Sequence, residues 1–211
     1  MGLLCTCPQN AAISDIPIDE CPESMGQIQK IILQRIFSAP GIKNAFQVGV
    51  NNPNVLASWT PLLAAADGTK VVVSPYIQEP VTEAGAKREY GGGNATLGGI
   101  PLNIGREPTS FTGNILRNAQ KTIKAMKDYE CENIGMYLVD EYGRIAGLVD
   151  NHDAPTEVYP IPTSGFFVSD KTLGGLESID MNMVSWYFFP NWSDQFHIVT
   201  PTDFNGLELA A

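Results

Sequence analysis

The chain has 211 residues, enough to bury one substantial core, and it is 44% hydrophobic but only 17% charged, so little of its surface can be covered by charge. A net charge of −10 argues against a surface built to neutralise nucleic-acid phosphates, which needs clustered Lys and Arg. Four cysteines (Cys5, Cys7, Cys21, Cys131) are too few and too unevenly spaced for a disulfide scaffold or a zinc site, and no apolar stretch approaches the ~18 residues of a membrane span.

The charge is unevenly placed. Residues 1–132 hold 11 basic and 12 acidic residues, whereas residues 133–211 hold 2 basic and 11 acidic, so the last third presents a negative face. Twenty glycines and 15 prolines point to many strands joined by turns and to a β-rich α+β domain over residues 26–211.

Residues 1–25 read as an extended amino-terminal arm, because Pro8, Pro17 and Pro22 alternate with acidic residues without a sustained period. Its Ile13, Ile16 and Ile18 favour an arm lying along a surface, its own or a neighbour's. From Gly26 to Ile36 the β-branched residues predict a strand, and Gln27, Gln29 and Gln34 predict an edge or a wet face. Thr60 and Pro61 predict the N-cap and first residue of a short helix through Ala66, and Val71–Ile77 reads as a buried strand.

Residues 79–108 form a Pro- and Gly-rich excursion, expected as a long hairpin around a glycine run at 91–99. The run lacks the Gly-Lys-Ser/Thr ending of a phosphate-binding loop. Over 113–130 the apolar residues Ile115, Leu116, Ala119, Ile123 and Met126 predict a flanking helix, with Arg117, Lys121, Lys124 and Lys127 as a basic stripe. Asp140-Glu141-Tyr142-Gly143 predicts a hairpin turn between strands at 135–139 and 144–149. Strands are expected again at 158–160, 165–168 and 176–189, the last carrying large apolar groups on both faces near its end.

Chemistry is sparse. His152, in Asp150-Asn151-His152-Asp153, is the histidine that lies beside carboxylates, and a catalytic reading would pair it with Asp150 or Asp153 and with Ser164 as nucleophile. Thr163-Ser164-Gly165 is not a nucleophile elbow, and a polar turn is the better reading of 150–153. No catalytic, cofactor-binding or metal-binding residue is assigned.

The stretches Cys21–Lys30 and Trp186–Asp194 resemble virion structural proteins of tailed phages, most closely tail tube subunits, and the resemblance spans most of the chain in element order. It implies a tail-tube-like β-sandwich or barrel with one flanking helix, a long hairpin and an extended arm. It further implies a homo-oligomer of rings or stacked rings, contact with other virion proteins, DNA only as a non-specific passenger, no membrane, and no catalytic residues. The alternatives are a capsid decoration or head-tail connector protein and, in another class, a small β-barrel hydrolase or ligand-binding protein using His152.

Overall fold

The computed structural model describes Ile16 and residues 24–210, so the arm expected over 1–25 lies almost wholly outside the described residues. Two compact units are present: a body of Met25–Gly85 with Pro108–Ala211, and a unit that includes the hairpin segment Ala86–Glu107.

In chain order the body begins with β1 (Ile28–Arg35), β2 (Phe37–Ala39), β3 (Ile42–Lys43), β4 (Phe46–Gln47), α1 (Leu56–Ala64), β5 (Val71–Val73) and β6 (Gln78–Glu83). The hairpin unit supplies β7 (Lys87–Tyr90) and β8 (Leu102–Arg106). The body resumes with β9 (Thr109–Leu116), α2 (Gln120–Lys127), β10 (Ile134–Asp140), β11 (Ile145–Val149), β12 (Glu157–Tyr159), β13 (Ile161–Val168), β14 (Met181–Phe188) and β15 (Phe196–Val199).

Eleven of these strands form one antiparallel sheet, in the order β4-β12-β11-β10-β13-β14-β9-β6, with β1 joining β10 to β5 and β15 pairing with β11. β13 is its corner. Its first residues, Ile161 and Pro162, pair with β10 and the strand passes to β14 from Thr163, with a bulge between Ser164 and Phe167, where Gly165 takes φ +62, inside that second ladder.

β10 is the spine: all seven residues are buried, and its side chains alternate between two cores. Met136 and Leu138 enter one core with Ile31 and Leu33 of β1, Phe111 of β9, and Val184, Trp186 and Phe188 of β14; Ile123 and Met126 of α2 close it. Tyr137 and Val139 enter the second with Phe46, Trp59 of α1 and Leu209 of the carboxyl-terminal segment. Trp59 packs 4.6 Å from Phe46 and 5.3 Å from Tyr137, and its indole N–H donates to the Pro53 carbonyl.

Several expectations change. The helix predicted over 113–130 is β9 followed by a short α2. Phe111, Gly113 and Ile115 alternate inward at period 2, and Arg117, at φ +50, breaks the chain between the two elements. Pro61 lies inside α1 rather than at its start, because the Asp203 carboxylate accepts the Leu56 N–H at 2.8 Å and starts the helix five residues earlier. β1 is an interior strand, and Gln34 is buried, donating to the Thr69 carbonyl. The strand expected over 71–77 ends at Val73, and the excursion proper is shorter than 79–108, since β6 still pairs with β9. The hairpin over β10 and β11, with Gly143 at φ +78, follows the sequence expectation.

β6 forms one end of the sheet path. Glu79 takes φ +52, the register with β9 slips between Gln78 and Val81, and Pro80 removes a backbone donor.

Candidate functional site

The residues around His152 do not assemble into a catalytic pair. The Asp150 carboxylate accepts from the Thr156 hydroxyl at 2.6 Å and from the N–H groups of Thr156 and Glu157. Those donors, the hydroxyl foremost, hold its pKa well below the ordinary carboxylate range. It caps the loop between β11 and β12. His152 Nε2 instead meets the Asp194 carbonyl at 3.1 Å, and the Asp153 N–H donates to Asn151. Ser164 sits on β13 opposite Tyr187, within another pair of strands.

Several clefts indent the described body, and two bear on function. One, of about 400 Å³, runs between β1, the 66–70 loop and the segment before β10. Of the two cations that line it, Arg35 and Lys70, Arg35 is bonded at both ends to Glu132, Nε to Oε2 at 2.6 Å and a terminal nitrogen to Oε1 at 2.8 Å, so its guanidinium is already matched. The same contact holds the Glu132 carboxyl below its ordinary range. The other, of about 550 Å³, lies between α1 and the 203–210 segment and is lined by Leu56, Leu63, Phe204 and Leu209 with Asp203 and Glu208 at its margin. Among the described residues no three His, Cys, Asp or Glu side chains form a metal-binding group, and no helix is long and apolar enough to cross a membrane.

The strongest features are surfaces. In the hairpin unit β7 and β8 pair from Lys87–Arg106 to Tyr90–Leu102. Tyr90, Leu102 and Ile104 are each at least half exposed, and at the glycine-rich tip Leu97 is 90% and Ile100 69% exposed. Tyr90 through Gly105 contains no charged residue, while Lys87, Arg88 and Arg106 stand at the base. A lone two-stranded hairpin with its apolar side chains in water is marginal on its own.

In the body, β9, β13 and β14 are three neighbouring strands of eight residues, and none of their residues is charged. One face of this group enters the first core. The other is open: a transverse row runs from Phe167 through Ser185 and Thr112 to Val81, flanked by Tyr187 and Met183. Phe167, Tyr187, Met183 and Val81 are 40–49% exposed. The strand expected to carry apolar groups on both faces thus buries Val184, Trp186 and Phe188 and leaves Met183 and Tyr187 uncovered.

The basic stripe survives its change of secondary structure only in part. Lys121, Lys124 and Lys127 lie on α2, and Lys127 pairs with Asp170 of the acidic last third within the same chain.

No protein family model, no curated protein and no solved structure matches the chain. The open face escapes sequence reasoning because β9 carries helix-like spacing at its end. The retrievable signal is the absence of charge from three alternating segments at once.

Proposed function

We propose that this protein is a structural subunit that assembles with copies of itself. More particularly, it is read as a virion protein of the tail tube kind, forming rings or a tube through which DNA passes as a passenger. One observation carries the reading: the chain exposes two uncharged, partly apolar surfaces, the Tyr90–Gly105 part of the hairpin and a sheet face, of the sort that specific association covers. The β-rich body with its two-core sheet is compatible with a sandwich-like subunit, and the net charge of −10 suits a channel that DNA crosses without adhering.

The test is the state of the purified chain, followed by light scattering coupled to size exclusion and by negative-stain microscopy over about a thousandfold range of concentration. Rings or tubes with a central channel are expected. A monomer throughout that range would overturn the proposal.

A further inference from the structure

We infer that copies join head to tail, the hairpin Lys87–Arg106 of one chain lying across the open face of β9, β13 and β14 of the next. The inference rests on the self-assembly reading and names the two surfaces that would meet.

The two surfaces match in chemistry. A tip of sixteen uncharged residues, Tyr90 to Gly105, faces a platform of three uncharged strands. In a chain that is 17% charged, two such stretches both left open to water are a cost unless something covers them. They also match in charge at their margins. Arg88 and Arg106 stand at the hairpin base beside Glu107, which leaves one positive charge in excess because Lys87 is already paired with Glu89, and Glu79 and Glu83 stand on β6 beside the platform. Both hairpin strands are short and exposed, so the hairpin gains most from a surface that buries Tyr90, Leu102 and Ile104 together.

The geometry is heterologous, because the surface given differs from the surface received, so each chain makes two contacts and the series closes into a ring or continues as a filament. Three strands ~4.8 Å apart and eight residues long at ~3.3 Å per residue offer a platform of roughly 14 by 26 Å. That is about half of the ~800 Å² per partner of a standard stable interface. A single contact is therefore weak, and closure, in which every chain gives and receives, supplies the stability.

The experiment uses two variants of the full chain, one with Phe167→Asp and Tyr187→Asp, the other with Leu97→Asp and Ile100→Asp. All four positions are exposed in the isolated chain, so the fold tolerates the changes, which circular dichroism of each variant checks. Each variant alone is expected to stay monomeric. Mixed one to one at the highest soluble concentration, they are expected to form a weak, concentration-dependent dimer and nothing larger, since the first variant keeps its hairpin and the second keeps its face. Wild-type-sized assemblies from either variant would overturn the inference while leaving self-assembly intact. Two monomeric variants that fail to pair even at that concentration would overturn the match of hairpin to face. A wild-type chain that never assembles would remove the underlying reading itself.

Discussion

The Asp140 carboxylate, at the end of β10 and fully buried, is bound by the Arg144 guanidinium, Nε at 2.8 Å and a terminal nitrogen at 2.6 Å, across the turn to β11. The same carboxylate accepts the backbone N–H groups of Gly26, Tyr142 and Arg144, so one side chain ties the hairpin turn to the start of the body. Replacing it by alanine strands a partly buried cation and three backbone donors. Asp140→Ala should lower stability by about 3–5 kcal/mol, read from denaturant unfolding. A loss under about 1 kcal/mol would show that water replaces the carboxylate without difficulty.

Gly143, in the same turn, has φ +78, and a Cβ there would meet the Asn205 side-chain oxygen at 1.9 Å and the Gly206 backbone nitrogen at 3.1 Å. Gly143→Ala is expected to cost about 2 kcal/mol or more, through left-handed strain and through displacement of the carboxyl-terminal segment. Adding Asn205→Ala relieves the second effect only. The double variant should therefore be less destabilised than the sum of the single changes, in a denaturant double-mutant cycle. Strict additivity would mean that the segment is not displaced.

Acid should weaken the fold. Asp150, held by the Thr156 hydroxyl, Asp170, held by Lys127, and Asp67, held by Thr69, all lie below the ordinary Asp value of 3.8. A carboxyl whose folded pKa is depressed stabilises fully above its unfolded value and loses that contribution as pH falls through the folded one. Tm is thus expected to be level above about pH 5 and to decline below about pH 4. Thr156→Val should lower Tm near neutrality, and its difference from wild type should shrink as pH falls below about 4, where the Asp150 carboxyl of the unfolded chain takes up a proton that the folded one still resists. A difference that stays constant with pH would show that the hydroxyl matters for packing alone.

Much of the body was legible because its signals are local. The β10–β11 hairpin announces itself through a turn with glycine at the position that takes positive φ, and the excursion through its glycine run. The start of α1 was not legible, since its anchor is Asp203, 147 residues away in sequence. β1 was recognised as a strand but misplaced within the sheet: glutamines suggest water, yet Gln34 finds the Thr69 carbonyl and lies within 3.5 Å of the Tyr137 hydroxyl inside the core. β9 and α2 were fused because Ile115, Ile123 and Met126 enter the same core from a strand and from a helix, and one periodicity fits all three. His152 was legible as a polar loop residue. The open face was not, because it exists only once three distant segments stand side by side.

Pro80 and the twisted backbone at Glu79 govern what kind of contact this sheet accepts along β6. A neighbour cannot readily extend the ladder there by adding its own strand, since the template of donors and acceptors is interrupted. Recognition beside that margin has to be read from side chains, which are specific to sequence, rather than from main chain, which any extended peptide can supply. For a chain with so much neutral surface, that interruption disfavours cross-β growth along β6.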